Sequence, residues 1–323
     1  MVFCCKITIG NLIFDSANEI EINKTWKKFT QTAIIKLPKN LYCLKNRQIT
    51  RITDISELIK KGDKVKIELG YNLELRTEFV GYVARDVTFG MPYVIECEDE
   101  MWRLKQYIKE VSIPDATVKQ IIQEAAPGYE INCIDELYGD FSEAQKTPVQ
   151  IFDVLKKRAG LYTFFRGSRL VCGIPYSDVN VSEKIPNYAV GKSVISSNIK
   201  SIKTGEGRFK IYGSSIQSNG DVLRLEVGEE GGQIIRINSY PDMNKEDLKK
   251  LLDRKLENYK KSSIASGDFL TFGTPYVEHG QAIRYVDKIR DMLDLKILVD
   301  EISINVSASN GYRKTISVGK LVP

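Results

Sequence analysis

Apolar and polar residues alternate with a period of two over most of the first hundred positions. Lys6-Ile7-Thr8-Ile9 alternates, Gly10-Asn11 supplies a turn, and Leu12-Ile13-Phe14 resumes beyond it, which is hairpin chemistry. Glu19 to Asn23, Thr32 to Leu37 closed by Pro38, Lys64 to Leu69 after Gly62-Asp63, Glu78 to Val83 and Tyr93 to Cys97 read as further strands. A period of two buries one face and leaves the other in water, and short strands punctuated by turn residues predict a sandwich or barrel.

The period then changes. Val118, Ile121, Ile122 and Ala125 lie at helical spacing, Thr117 with Gln120 forms a capping-box pattern, and Pro127-Gly128 is a stop. A second helix has Thr147 as cap, Pro148 at its first position, Gln150 three residues after the cap, Phe152 and Leu155 inward and Gly160 at its end. Leu161 to Phe165, the turn Arg166-Gly167-Ser168 and Arg169 to Cys172 make a short hairpin, and Pro175, Pro186 and Gly191 mark the exit. These segments predict a compact α/β insertion over 103–190 between a first β-barrel, 1–102, and a second, 191–323.

In the last part, Ile199 to Ile202, Arg208 to Tyr212, Val222 to Val227, Gln233 to Ile237, Asp268 to Gly273, Ala282 to Tyr285, Ile297 to Ser307 and Arg313 to Val318 read as strands. The stripe Leu248, Leu251, Leu252, Leu256, Tyr259 predicts an amphipathic helix over 245–261 lying flat on the second barrel. A weak internal echo links the halves. Gly62-Asp63-Lys64-Val65-Lys66-Ile67 resembles Gly280-Gln281-Ala282-Ile283-Arg284-Tyr285, and the strands that follow set Val83, Val87 and Phe89 against Leu298, Ile302 and Ile304. The fold class expected is mainly β, two similar barrels flanking a small α/β domain.

Length and composition agree with several domains: 323 residues, 42% hydrophobic and 28% charged. A net charge of +5 with basic and acidic residues interspersed does not announce specific nucleic-acid binding. The longest apolar runs, such as Leu161 to Phe165, are far too short for membrane insertion, and Met1 to Gly10 lacks the pattern of a secretory signal, so synthesis and assembly in a cytoplasm are expected. Cys4, Cys5, Cys43, Cys97, Cys133 and Cys172 lack metal or disulfide spacing and read as reduced thiols.

Catalytic chemistry is scarce. His279 is the sole histidine, near Thr271 and Thr274 but in no nucleophile motif, and Glu278-His279-Gly280 reads as a turn whose histidine tolerates alanine within about 0.5 kcal/mol. Glu96, Glu98, Asp99 and Glu100 are more simply a helix cap and partners for Arg103 and Lys105 than paired catalytic carboxylates. Gly205-Glu206-Gly207 reads as a turn. No catalytic residue, cofactor or metal is expected.

The order of segments resembles a known family. Phe79-Val80-Gly81-Tyr82-Val83, then Ile95-Glu96-Cys97-Glu98-Asp99-Glu100-Met101-Trp102-Arg103-Leu104-Lys105, is similar to the strand and strand-to-helix junction of phage late control D and baseplate hub proteins. Thr147 to Gln150, Gly160 to Gly167 and Leu170-Val171-Cys172-Gly173 resemble that family's insertion domain. Val227-Gly228 with Gly231-Gly232, Phe272-Gly273-Thr274-Pro275 with His279-Gly280, and Gly311-Tyr312-Arg313 to Ile316 with Gly319 resemble its second barrel. Each motif also has a purely structural reading: the glycines suit bulges and turns, and Trp102 and Leu104 supply apolar mass where barrel meets insertion.

The resemblance implies a non-enzymatic structural protein of a virion or injection-particle tail, related to contractile injection systems. It implies a homotrimer whose six barrels match a six-fold tail tube on one face and a three-fold central spike on the other. Baseplate wedge and tape-measure proteins are further implied partners, and the end of the chain at Pro323 leaves no room for a hydrolase domain. Two other classes compete: a tail-tip cell-wall hydrolase or protease, and a host-surface carbohydrate-binding module, which would need aromatics such as Tyr71, Tyr82 and Tyr93 on one exposed face.

Overall fold

The computed structural model describes residues 2–38, 41–45, 48–52, 55–87, 90–133, 135, 137–173, 185–202, 208–217, 221–237, 240–261, 264–289 and 292–321. Phe89, Pro175 and the Gly205-Glu206-Gly207 turn lie outside the described residues.

The first lobe begins with the expected hairpin, β1 (Phe3–Ile9) and β2 (Leu12–Phe14). β3 (Glu19–Thr25), β4 (Thr32–Leu37), β5 (Leu41–Lys45), β6 (Gln48–Ile52), β7 (Lys64–Tyr71), β8 (Glu74–Val83) and β9 (Tyr93–Glu98) follow. Antiparallel pairing runs in the order β3–β4–β9–β8–β7, and β7 continues to β1, β2, β5 and β6. The alternating isoleucines, Ile20, Ile22, Ile35, Ile67 and Ile95 among them, turn inward as period two requires. β7 and β8 are joined by Asn72-Leu73, both at positive φ, the turn whose twist matches antiparallel strands.

The insertion has its own core. It comprises α1 (Met101–Leu104), β10 (Lys109–Thr117), α2 (Val118–Ala125), β11 (Ile131–Cys133), β12 (Leu137–Lys146), α3 (Pro148–Ala159), β13 (Tyr162–Arg166) and β14 (Arg169–Gly173). Both expected capping boxes are present: Thr117 and Thr147 accept from the backbone N–H of Gln120 and Gln150, whose side chains reach back to the cap. Met101 and Leu104 pack with Ile121, Phe152, Leu155 and Phe165, so this core starts at the first turn of α1.

The chain then forms β15 (Asn187–Ala189), β16 (Val194–Ser197), β17 (Lys200–Ile202), β18 (Phe209–Ile216), β19 (Val222–Gly228), β20 (Gln233–Arg236), β21 (Tyr240–Pro241) and α4 (Lys245–Lys261). It closes with β22 (Ile264–Ser266), β23 (Asp268–Phe272), β24 (Ala282–Asp287), β25 (Leu293–Ser307) and β26 (Gly311–Leu321). β15 pairs with β24, so residues 187–189 lie with this second lobe and not with the insertion.

The place of the long helix also differs from expectation. Helix α4 does not lie on the second barrel; it covers a separate four-stranded sheet, β18 to β21, with Leu248 and Leu252 against Ile211, Leu223 and Leu225. A leucine stripe declares that a helix has an apolar face, and the sheet that receives it is decided by which strands offer the complementary alternation. Here β19 does, with Leu223, Leu225 and Val227 all turned to one side.

The second lobe retraces the pairing order of the first. β16 pairs with β23 and β17 with β22, β22 and β23 pair with β26, and β26 continues to β25 and β24, all antiparallel. With β16 and β17 in the place of β3, and β22 and β23 in the place of β4, the spatial order of the two lobes is the same. The glycines of the sequence echo, Gly62 and Gly280, both precede the strand at the end of this path, β7 or β24, and both have positive φ. The lobes are joined by β25, which pairs with β24 over Leu293–Leu298 and then with β3 over Glu301–Ser307. One apolar core runs through the joint, with Ile20 and Ile22 against Ile302, Ile304 and Val306.

Candidate functional site

Strand alternation carries two lysines into the core beside this joint. On β3 the inward positions run Ile20, Ile22, Lys24, and on β26 they run Tyr312, Lys314, Ile316, so each ammonium stands where the pattern calls for an apolar side chain. Lys314 is 0% exposed and Lys24 3%. Each needs a carboxylate, because an unpaired charge in such a place is prohibitively costly.

Glu78 and Glu278 supply them. The Lys24 Nζ lies 2.9 Å from Glu278 Oε1 and 3.4 Å from Glu78 Oε2, while Glu78 Oε1 accepts from Lys314 Nζ at 2.7 Å and from the Tyr312 hydroxyl at 2.6 Å. Tyr276 donates to Glu278. Glu78 reaches the core because β8 carries a bulge there: Ile67 opposes Phe79 and Glu68 opposes Thr77, which leaves Glu78 out of register and re-aims it. The Tyr71 hydroxyl donates to the Tyr312 carbonyl at 3.0 Å and accepts from Gly273 N, so β3, β7 and β8 of one lobe are tied to β26 and the 273–278 loop of the other. Burial pulls the Lys24 ammonium down, but Glu278 and Glu78 outweigh it and its pKa ends above the ordinary value. Burial wins at Lys314, which ends below. Glu278 ends below the usual carboxylate range, since Lys24 and Tyr276 overcome the effect of burial.

A second cluster joins all three units. Gln31, between β3 and β4, donates from Nε2 to the Phe165 carbonyl at 2.7 Å and faces His279 Nε2 at 3.1 Å. An amide N–H pointed at Nε2 makes that nitrogen the acceptor and puts the ring proton on Nδ1. Nδ1 meets no hydrogen-bond partner among the described residues. The ring packs edge-on against Phe164, and Arg166 donates to the His279 carbonyl at 3.1 Å. His279 is therefore not an exposed turn residue: it is 0% exposed, and burial with nearby Arg166 and Lys24 holds its pKa down at about 4 despite Glu278. The expectation of a near-neutral alanine substitution is overturned with it. Beside it Gly280 has φ +81, the left-handed conformation that favours glycine, whereas the contact a Cβ would make, 2.3 Å from an Arg166 nitrogen, is with the flexible end of a side chain that can move aside.

The acidic run at the end of β9 does what a cap and its partners do. Asp99 accepts from Gln31 N and Met101 N, each at 3.1 Å, Glu98 pairs with Lys105 at 2.6 Å, and Glu100 with Arg103 at 3.1 Å. Burial pushes the Asp99 carboxyl up to about 7, against the pull of those two N–H groups and of Lys105. The ring of Tyr82 stacks on Trp102 at 5.3 Å, and Leu104 and Cys97 are buried in the insertion and barrel cores. Gly81 is where β8 passes closest to β9: a Cβ would lie 2.0 Å from the Glu98 carbonyl oxygen. Gly81→Ala is expected to cost at least about 2 kcal/mol, as overpacking against backbone does, and a thermal melt within two degrees or so of the parent would remove this account.

The remaining sequence-selected residues are dispersed. Gly160 ends α3, Gly173 ends β14, Gly228 ends β19 and Gly232 leads into β20. Pro275 accepts from the Tyr188 hydroxyl at 2.7 Å. Gly273 lies against the Tyr312 ring, Gly311 opens β26, Arg313 lies over the Phe272 ring, and Gly319 is within β26. Tyr312 and Gly273 thus meet beside the lysine network, and His279 lies in the second cluster. Lys24 and Glu78 belong to no quoted motif, and Glu278 and Lys314 lie within quoted segments without being given a role; Lys24 and Lys314 are legible as lysines in phase with apolar neighbours on an alternating strand.

Neither competing class gains from this geometry. Thr271 donates its hydroxyl to the Ser193 carbonyl at 2.7 Å, inside the second lobe. Tyr93 and Tyr82 are buried and Tyr71 is half-buried, so these three form no exposed aromatic face.

No protein-family model and no curated protein sequence matches this chain. Solved structures do. A tail protein from Neisseria meningitidis MC58 superposes with a TM-score of 0.68, over 99% of this chain and 97% of that one, at 10% identity. The fold is that of phage tail proteins. The 43 kDa tail protein of prophage MuSo2 from Shewanella oneidensis matches at TM-score 0.62 and 16% identity, over 98% of each chain. An E. coli type VI secretion component, described as similar to the T4 tail proteins gp27 and gp5, matches at 0.52 and 10% identity, over 97% of this chain and 76% of that one. The tail-protein fold therefore extends from the first strand to the last, insertion included.

Proposed function

We propose that this chain is the structural hub of a phage-type tail, a homotrimer that adapts a six-fold tail tube to a three-fold central spike and encloses part of the channel. One observation carries the reading: the two lobes share a pairing order and are joined strand to strand by β25 and β3, so one chain supplies two copies of a ring element. Three such chains give six elements, the number a tube-to-spike adaptor needs. Its similarity to tail proteins and to a secretion-system component supports the same role. The chain works by shape and joints, without catalysis, inside a virion or injection-particle tail assembled in the bacterial cytoplasm. Tube and spike proteins are its main partners, and wedge and tape-measure proteins contact its periphery.

Particle imaging of the intact tail tests this. Three copies around the axis between tube and spike are expected; a single copy per particle, or a position away from the axis, would overturn it.

A further inference from the structure

We propose that Cys133 and Cys172 form a redox site: a small-molecule disulfide converts the two thiols into a cross-strand disulfide that ties β11 to β14 in the insertion. The inference stands on the fold and is independent of the hub reading.

The parallel ladder of β11 and β14 sets Ile131 against Leu170, Asn132 against Val171 and Cys133 against Cys172. Directly opposed residues of neighbouring strands present their side chains to the same face, and here that face is the insertion core, which Ile131, Cys133, Leu170 and Cys172 all join. Neighbouring strands stand about 4.8 Å apart, inside the range of about 4.4 to 6.8 Å that a disulfide spans between Cα atoms. Closure therefore asks for side-chain rotation and little movement of the backbone. Among the described residues no other two cysteines hold opposed positions on paired strands: Cys4, Cys5 and Cys97 face Gly70, Leu69, Ala33 and Val83. Both thiols are free as they stand.

The surroundings of the two thiols order the reaction. Cys172 is 1% exposed and burial pushes its thiol up to about 12, whereas Cys133 is half-buried, close to the exposed Asp135. The Cys133 thiol is raised as well, by burial and Asp135, with Lys119 pulling the other way. Cys133 is thus the sulfur that an oxidant reaches. Its thiolate attacks one sulfur of the small disulfide and expels the other as a thiolate, which leaves a mixed disulfide on Cys133. Cys172 then gives up its proton and attacks the Cys133 sulfur, expelling the second small thiolate. The Thr163 hydroxyl, which donates to Cys172 Sγ at 3.3 Å, favours that attacking thiolate. The two protein thiols are oxidised to one disulfide, the small disulfide is reduced to two thiols, and the two protons pass to them. In a reducing cytoplasm such a pair stays open, and it closes where small disulfides prevail.

The tie falls where the insertion has least to hold it. β11 is a three-residue strand, and because β13 takes the other edge of β14, β11 ends its sheet. Short edge strands open more readily than the rest of a sheet, and a covalent bond across the chain from 133 to 172 removes the opened states. The same sheet turns Phe164 to the His279 ring and offers the Phe165 carbonyl to Gln31, so closing the bond also steadies the cluster where the three units meet.

Peptide mapping reads this directly. The full-length protein is incubated with oxidised glutathione, alkylated and cut with trypsin, which releases Cys133 in peptide 120–146 and Cys172 in peptide 170–184, each with no other cysteine. The two peptides are expected joined and two hydrogens lighter than their sum, about tenfold more abundant than any other cysteine pairing, because opposed strands hold the thiols at high effective concentration. Dithiothreitol should separate them. Amide exchange in β11 should slow by about tenfold on oxidation. Cys172→Ser should stop at a glutathione adduct on Cys133, and Cys133→Ser should leave Cys172 unmodified. An unsubstituted chain that also stops at the Cys133 adduct, or that keeps both thiols free, would overturn the pairing, and since that result needs no variant, a folding defect in either serine chain does not obscure it.

Discussion

Glu78→Gln is expected to destabilise the protein by about 3 to 5 kcal/mol, the usual cost of removing one partner from a buried ion pair. Glu78 is 2% exposed and is the acceptor for Lys314, Lys24 and the Tyr312 hydroxyl, so its loss leaves Lys314 without a carboxylate and Lys24 with Glu278 alone. Much of the cost comes from the stranded ammonium. Adding Lys314→Met should therefore recover a large part of it, since an apolar side chain of similar volume needs no counter-charge. Breaking the exposed Arg284–Asp294 pair, at 2.6 Å but half in water, should change stability by less than about 1 kcal/mol. Urea unfolding of the four chains decides the matter. A Glu78→Gln loss under about 1 kcal/mol, or no recovery in the double variant, would mean that the network does not hold the lobes together.

The reasons these residues escaped a reading of sequence are physical. Capping boxes, the hairpin at Gly10 and the left-handed end of α3 at Gly160 were legible because each is decided within about four residues. The strands were legible as elements, but pairing is not local: that β25 would leave β24 and continue on β3 depends on segments 280 positions apart. The bulge that turns Glu78 inward exists only relative to β7. His279 is surrounded by Gln31, Phe164 and Arg166, contributed by two other units, and Glu278-His279-Gly280 by itself looks like any surface turn. The leucine stripe of α4 was read correctly as a helix face and assigned to the wrong sheet for the same reason. The glycine echo, in contrast, marked a real correspondence, since Gly62 and Gly280 occupy the same place in the repeated pairing order.

Replacing His279 by phenylalanine should turn a nearly flat pH dependence of stability between about pH 4 and 7 into one that declines as pH rises. With a folded pKa near 4 and an ordinary value of 6.5, the unfolded chain binds the proton more readily than the folded one throughout that window. The contribution of His279 is fully present above about 6.5 and is lost as pH falls toward 4, about 3 kcal/mol in all at 1.36 kcal/mol per unit. Asp99 acts in the opposite sense: its carboxyl stays protonated in the fold up to about 7, so its contribution falls as pH rises from about 4. Gln31 connects the two, its backbone N–H on Asp99 and its side-chain amide on His279. The parent should therefore show a shallow profile across this range, with the two slopes largely cancelling. His279→Phe keeps an aromatic ring against Phe164 and removes the titration, leaving the Asp99 slope exposed, so stability should decline with rising pH. Asp99→Asn should do the reverse and rise. Denaturant midpoints at half-unit intervals from pH 4 to 7.5 provide the comparison, and a His279→Phe profile parallel to that of the parent would show that the imidazole is not held neutral by its burial among the three units.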